Sequence, residues 1–245
     1  MIARSSKLPS SASSCSTLAG IINMKEEEVF KFILSQISFL KKTIEKRKWD
    51  LTQDLILDRP ATNEEIADVE KELGIKIPTD YKNLFKLSKH IEFRYQFDEE
   101  MPPEFRSNFS GELYWNLDEL VAQTKYLNNW ITASLDPSYN DEASIENTRL
   151  IFNNKLPLLK VPNGDVIVIG NNPSEIVYFS HEGDSMHGKI LGENLWNFLE
   201  FYSRIGFDGS EDWQLEPFYN YKADRMITEG PIVDKYISWL KNNAC

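Results

Sequence analysis

The stretch that decides the fold is PATNEEIADVEKELGIKIP, residues 60–78. Thr62 followed three residues later by Glu65 is the pattern of a capping box, in which two side chains satisfy free backbone N–H groups at a helix start. Gly74 stands where a helix ends in the left-handed conformation, and Pro78 suits the first turn of a following helix. The stretch therefore predicts two short helices joined by a tight link. Their expected core residues are Ile66, Val69 and Leu73 in the first helix and Tyr81, Leu84, Phe85 and Leu87 in the second.

The same stretch resembles the signature of the SUKH superfamily, which groups the yeast Smi/Knr-type regulators of cell-wall synthesis with many bacterial toxin-immunity proteins. The positions that carry the resemblance are Ile66, Glu70, Leu73-Gly74, Ile77-Pro78 and Tyr81. In the family, an Asn-Gly turn ordinarily follows the second helix. Here Ser88-Lys89-His90 replaces it and the glycine is absent, so this turn departs from the family pattern.

The later segments fit the same family. Residues 91–97 and 111–120 predict strands, and the second of them leads into a short helix. Three alternating, β-branched runs bounded by turn residues predict an antiparallel meander over 156–179, and 194–202 predict a closing helix. The resemblance covers about residues 57–206. It implies an α+β fold, an antiparallel sheet meander packed with helices, in which the closing helix turns Leu195, Phe198, Leu199 and Tyr202 inward.

Four segments are expected along the chain: a disordered leader at 1–24, an N-terminal helix within 25–56, the SUKH-like domain at 57–209, and an extension at 210–245 that packs on it. Met24 stands directly before the helix signal, which favours translation from Met24, and an organellar targeting segment is the alternative. The helix should begin at Lys25 and bury the stripe Val29, Ile33, Ile37, Leu40 and Ile44. A basic amphipathic helix that touches a membrane is the other interpretation of that stripe.

Composition and charge exclude several classes of protein. Of the 245 residues 41% are hydrophobic, an ordinary globular profile, and no apolar run approaches the length of a membrane span. The two cysteines, Cys15 and Cys245, indicate no disulfide framework, so a cytoplasmic location is expected. The net charge of −11 is uneven, with 18 basic and 34 acidic side chains in residues 49–245. Such a field repels nucleic acid and attracts a basic protein partner, although simple solubility is an alternative explanation.

No catalytic or metal-binding motif emerges. His181 and His187 flank an acidic turn, but they are six residues apart, whereas a zinc protease motif needs two histidines four apart on one helix. An ordinary polar loop is the favoured interpretation, and a small-molecule enzyme built on these two histidines is the weaker one. We therefore expect a protein that is not an enzyme and has no metal or cofactor.

The candidate partner-binding residues lie in two acidic loops. Between residues 92 and 106, aromatic side chains alternate with acidic ones, and Phe93, Tyr95 and Phe97 have the period of a strand's core face. Met101 and Phe105 lie beyond the strand and are expected to anchor a partner, while carboxylates supply long-range attraction. The residues assigned to partner binding are Asp98, Glu99, Glu100, Met101, Phe105, Asp141, Glu142 and Asp184.

In a bacterium the resemblance implies an immunity protein that neutralises a secreted toxin, and the acidic charge suits a basic, nuclease-type toxin. A scaffold in cell-wall synthesis signalling, as in the yeast relatives, is the alternative. A monomer or weak dimer is expected.

Overall fold

A computed structural model describes residues 15–105, 109–138, 141–152, 155–170, 173–183 and 185–242. The helices are α1 Cys15–Arg47, α2 Asn63–Leu73, α3 Thr79–Leu87, α4 Leu120–Ser134, α5 Glu142–Phe152, α6 Leu195–Arg204, α7 Asp212–Leu215 and α8 Pro231–Asn242. The strands are β1 Asp50–Leu57, β2 His90–Gln96, β3 Ser110–Asn116, β4 Lys155–Lys160, β5 Val166–Gly170, β6 Ile176–Phe179, β7 Ile190–Gly192, β8 Tyr219–Asn220 and β9 Arg225–Met226. Antiparallel strands packed with helices confirm the predicted α+β fold.

The helical pair forms as its sequence predicts. Both halves of the capping box between Thr62 and Glu65 are present, and Gly74 ends α2 with a φ of 72°. Pro78 occupies the N-cap of α3, one position before the first helical residue. Glu70 fixes the link, because its buried carboxylate accepts a hydrogen bond from the backbone N–H of Ile77 at 3.0 Å. The two helices are thereby held at one angle by a side chain of the signature.

The turn without glycine needs no left-handed residue. Ser88 ends α3 with an extended φ of −156°. Its hydroxyl lies within hydrogen-bonding distance of two backbone carbonyl oxygens, those of Asp58 at 3.0 Å and His90 at 2.7 Å. The serine side chain therefore supplies the local hydrogen bonds that steer the chain from α3 into β2, and glycine is unnecessary there.

The strands form two larger antiparallel sheets and one small hairpin. The first sheet has the order β1-β2-β3, the second β4-β5-β6-β7, and β8 pairs with β9. One large core lies under both sheets, where side chains of β2, β3, β5 and β6 meet α1, α3, α6 and α8. Phe93, Tyr95 and Phe97 are all buried in this core, which confirms the strand interpretation of these aromatics.

The N-terminal segment differs from its prediction in two ways. The stripe on α1 is buried as expected, but α1 begins at Cys15 rather than Lys25, so part of the predicted leader is helical. Residues 15–24 contain no proline and several good helix formers, so nothing stops the helix at Met24. Residues 1–14 lie outside the described residues. The last residues of the predicted helical segment 25–56, from 50 onward, instead belong to β1, which pairs with β2.

The second sheet is covered on its outer face as well. Val166 and Val168 of β5 and Val177 and Phe179 of β6 meet α4 and α5 in a smaller apolar cluster. Helix α5 occupies a segment for which no helix was predicted, and α4 has 15 residues where a short helix was expected. Both helices exist because this face of the sheet is apolar and must be buried.

The closing helix is confirmed as α6, and the C-terminal extension contains a helix of its own, α8. Leu195, Phe198, Leu199 and Tyr202 are buried on α6. On α8, Val233 and Tyr236 are fully buried. None of the helices in the described ranges combines the length and the apolar character that crossing a bilayer requires.

Candidate protein-binding surface

The two apolar anchors assigned to the acidic loop are not accessible, which corrects that expectation. Phe105 is fully buried, and its ring contacts those of Phe218 at 5.6 Å and Tyr236 at 4.9 Å. Met101 is also buried, with 8% of its surface exposed. A short 3₁₀ turn at Pro103–Phe105 rotates the phenylalanine inward. These residues fasten the loop to the C-terminal part of the chain, because burying an aromatic side chain is more favourable than exposing it.

Glu99 also has a structural role. Its carboxylate lies 3.2 Å from Nη2 of Arg47 and accepts a hydrogen bond from the indole N–H of Trp49 at 2.9 Å. The Arg47 side chain is only 4% exposed, and its guanidinium lies 4.6 Å from each of the rings of Trp49 and Trp239. Burial lowers the pKa of Arg47, and the carboxylate of Glu99 counteracts this effect. Of the three consecutive acidic residues 98–100, only Asp98 and Glu100 are exposed.

Asp98 belongs to a larger surface, the outer face of the first sheet. Because side chains alternate along a strand, residues at every second position of β2 point away from the core. His90, Glu92, Arg94 and Gln96 are these residues, and they pair across the sheet with Asn116, Tyr114, Glu112 and Ser110. On the other side, Gln96 pairs with Asp50 and Arg94 with Gln53. Apart from Ile56 of β1, which pairs with Glu92, and the ring of Tyr114, the face is polar, and it is open to solvent along β1 and β2.

Carboxylates dominate this surface. We define the acidic face as the group of carboxylates Asp50, Asp58, Glu92, Asp98, Glu112 and Glu119 around the single guanidinium of Arg94. Arg94 Nε lies 3.3 Å from Glu92 and 3.0 Å from Glu112. At one end, the His90 ring lies between Asp58 at 3.8 Å and Glu92 at 3.6 Å. At the β3 side, the Tyr114 hydroxyl donates a hydrogen bond to Glu119. Arg94, with Arg59 near Asp58 and Lys48 near Asp50, supplies only half as many positive charges as the six carboxylates supply negative ones, so the face carries a negative potential.

Glu112 is the least exposed member of the acidic face. Burial raises the pKa of its carboxyl group, Arg94 opposes this effect, and the neighbouring Glu92 reinforces it. The side chain remains in place because Arg94 satisfies it directly.

The remaining assigned residues do not join the acidic face. Asp141 accepts a hydrogen bond from the backbone N–H of Ser144 at 2.8 Å at the start of α5, which lowers its pKa. Glu142 is the first residue of that helix, where negative charge is favourable. Both therefore have a role in starting α5, which covers the second sheet. Asp184 lies outside the described residues.

The histidine loop holds a closed polar cluster. The fully buried Asp165 carboxylate receives hydrogen bonds from the Tyr178 hydroxyl at 2.6 Å and from the backbone N–H of His181 at 2.8 Å, and it lies 2.7 Å from Nδ1 of His181. Burial alone would raise the pKa of Asp165, but these hydrogen bonds lower it overall. His187 Nδ1 lies 2.9 Å from the carbonyl oxygen of Ser180. Among the described residues, no group of three or more potential metal ligands is arranged around one ion.

The signals for the acidic face are partly visible in the sequence. Every second residue from His90 to Gln96 is polar, which marks a solvent-facing strand side. The carboxylates next to this row belong to Asp50, Asp58, Glu112 and Glu119, which are distant in sequence. Only the pairing of β1 and β3 with β2 brings them together. Asp98 could therefore be predicted from the sequence, whereas the other members of the acidic face could not.

The fold and this surface define an α+β domain with one acidic sheet face open to solvent. The model of the SMI1 / KNR4 family (SUKH-1) matches residues 60–227, more than half of the chain, so the chain belongs to this family. The match includes the helical pair, both larger sheets from β2 onward, and the β8–β9 hairpin. A search of the curated proteins finds no match.

Proposed function

We propose that this protein is a non-enzymatic binding module that holds a basic protein partner on its acidic face. The acidic face itself is the observation that carries the proposal. It places several carboxylates on an open sheet surface with one guanidinium among them. Complementary charge of this kind steers association and selects against acidic partners. It also disfavours phosphate backbones, so the partner is a protein rather than a nucleic acid.

The partner we propose is a toxin domain of the nuclease type, which the protein neutralises. The SUKH resemblance implies immunity proteins as one branch of relatives. A nuclease must be positively charged to hold nucleic acid, so an inhibitor that covers its active site gains from negative charge. The acidic face offers this charge on a rigid sheet, which needs little ordering on binding.

The absence of catalysis is part of the proposal. The arrangement of Asp165 and His181 resembles the positioning of a histidine by a carboxylate. However, the Asp165 oxygens are shared with donors from Tyr178 and Asn163, and the other ring nitrogen of His181 lies 3.7 Å from the exposed carboxylate of Glu182 rather than against a hydroxyl or thiol. We assign this cluster to fixing the loop after β6.

The proposal is tested by capture from a lysate of the native cell at low and then moderate salt, followed by mass spectrometry. The test variant combines Asp58→Asn, Glu92→Gln and Glu119→Gln, which neutralises the centre and one end of the acidic face. The control variant combines Glu28→Gln, Glu229→Gln and Asp234→Asn, three exposed residues elsewhere. Wild type and control should retain one basic toxin domain near one-to-one, and the test variant should bind it about tenfold more weakly.

Equal capture by both variants would remove the acidic face from the proposal. Retention of kinases or wall-synthesis enzymes through the same face would keep a binding module and favour the scaffold function instead.

A further inference from the structure

A pocket of about 390 Å³ lies at one end of the acidic face, where Asp50 of β1 pairs with Gln96 of β2. It falls near the lower end of the volumes typical of binding pockets. This is enough room for one side chain and part of the backbone that carries it. The residues that line it include Trp49, Asp50, Gln96, Phe97, Asp98 and Glu99.

The floor of the pocket is rigid. The ring of Trp49 stacks on that of Phe97 at 4.7 Å and on that of Tyr95 at 5.7 Å. Its indole N–H is held by Glu99, which also pairs with the buried Arg47. Because these groups are already packed, a ligand that enters the pocket would not have to order them, which lowers the entropic cost of binding.

The charges of the pocket that are not already paired are negative on balance. Asp50 and Asp98 are both exposed, and the structure gives neither carboxylate an ion pair within the described residues. The charge of Glu99 is already matched by Arg47, and the exposed Lys48 supplies one positive charge at the rim. The amide oxygen of Gln96 adds a neutral acceptor. The pocket therefore suits a cation better than an anion.

Arg47 adds a second feature to the lining. Its Nε and Nη1 atoms are buried without a hydrogen-bond partner, although the side chain lines the pocket. Buried donors without partners are costly, and a carbonyl oxygen is the group that satisfies them. A peptide segment provides such a carbonyl together with a charged side chain.

We propose that this pocket is the anchor point for a lysine or arginine side chain of the protein partner. The proposal rests on the proposed function, since it names the group that the acidic face would hold at short range. The basic side chain lies between the carboxylates of Asp50 and Asp98 above the aromatic floor. It takes the anchoring role that was predicted for Met101 and Phe105, which are buried.

The test is a titration of the ¹⁵N-labelled protein with acetyl-Gly-Arg-Gly-amide and acetyl-Gly-Lys-Gly-amide, followed by NMR at the Trp49 indole N–H. The Trp49→Phe variant serves only to assign that signal. Acetyl-Gly-Gln-Gly-amide and acetyl-Gly-Glu-Gly-amide are the matched neutral and acidic peptides. We expect the two basic peptides to shift the signal with saturation, and the double variant Asp50→Asn, Asp98→Asn to bind them about tenfold more weakly.

The control variant Glu28→Gln, Asp234→Asn should keep the wild-type affinity. An equal response to the glutamine peptide, a preference for the glutamate peptide, unchanged affinity in the double variant, or no shift at the highest soluble concentration would each overturn the proposal. These failures are distinct from failure of the proposed function, because the capture experiment changes Asp58, Glu92 and Glu119 and leaves the pocket intact.

Discussion

The outer faces of the two sheets differ in burial: one is covered by helices and the other is open to solvent. On the second sheet, Val168 and Phe179 face outward and are buried under α4 and α5. On the first sheet the equivalent rows carry Glu92, Arg94 and Glu112, and the face stays open along β1 and β2. Burying so many carboxylates against one guanidinium would cost far more than apolar contact could return. The same chain thus uses one sheet face for stability and leaves the other for solvent or a partner.

The largest expected effect tests the covered face. Phe179→Ala should lower the free energy of unfolding by about 3–5 kcal/mol, because it empties a site between two aromatic rings. Those rings are Phe152, with a centroid distance of 3.7 Å, and Trp130, at 4.2 Å. Urea unfolding of the purified protein measures the change.

The matched substitution on the open face is Arg94→Ala, with an expected cost of about 1–2 kcal/mol, because the arginine side chain is 44% exposed but its loss leaves the buried carboxylate of Glu112 without its cation. A loss at Arg94 as large as that at Phe179 would show that the open face also carries stability, and the contrast between the two sheets would fail.

The second prediction compares two neighbouring residues of the acidic loop, one that supports the structure and one that is exposed. Glu99→Ala should cost about 2 kcal/mol, because it leaves the buried guanidinium of Arg47 without its carboxylate and the indole N–H of Trp49 without its acceptor. Asp98→Ala, one residue earlier and exposed, should change stability by less than about 0.5 kcal/mol. Thermal and urea unfolding of both variants give the comparison. Equal values would mean that Glu99 is a surface residue like its neighbour.

The contrast also explains what the sequence could predict. The helical pair α2–α3 follows from local signals, a capping box, a left-handed glycine and a proline, and all of these lie within twenty residues. Helix α5 has no such clear signals, and its existence depends on the apolar face of the second sheet that it covers. Strand β1 was missed because its outward row includes Ile56 and its register is interrupted by bulges, which obscures a period of two.

In the candidate site, too, some residues could be predicted from local sequence and others could not. Asp98 and Glu100 were found because they stand in one exposed acidic run. Phe105 was misassigned because sequence spacing does not show that a 3₁₀ turn brings it against Phe218 and Tyr236, more than a hundred residues later. Contacts between residues distant in sequence decided both the acidic face and the burial of the supposed anchors.

The third prediction concerns association with the captured partner. Asp98→Lys with Glu100→Lys should slow association about three- to tenfold at low ionic strength, and the difference should shrink as added salt screens the charges. Glu99 is left unchanged so that the loop keeps its support from Arg47. Stopped-flow mixing of each protein with the partner gives the rates. The same slowing at high salt would point to a damaged contact rather than to lost attraction.

The smallest expected effect is a pH dependence that has opposite signs in the two regions. The pKa of Glu112 is raised by burial, so the folded state holds its proton when the unfolded state has lost it. Its contribution to stability is therefore complete below the ordinary pKa of about 4.3 and is lost as pH rises through the raised value. Glu112→Gln should gain stability relative to wild type across that interval.

Glu70, in the link between α2 and α3, provides the opposite case. Burial would raise its pKa, but hydrogen bonds from Lys76, Ile77 and Lys82 lower it overall. Its contribution to stability is present above the ordinary pKa of about 4.3 and is lost as pH falls through the lowered value. Glu70→Gln should therefore be less stable than wild type at neutral pH, and this difference should disappear towards acid pH. Urea unfolding of wild type and both variants from acid to neutral pH gives the difference in unfolding free energy between each variant and wild type. As pH rises, this difference should move in favour of the variant for Glu112→Gln and against it for Glu70→Gln. A flat curve for Glu112→Gln would mean that this carboxyl titrates alike in the folded and unfolded protein, and that the open face accommodates its charge without cost.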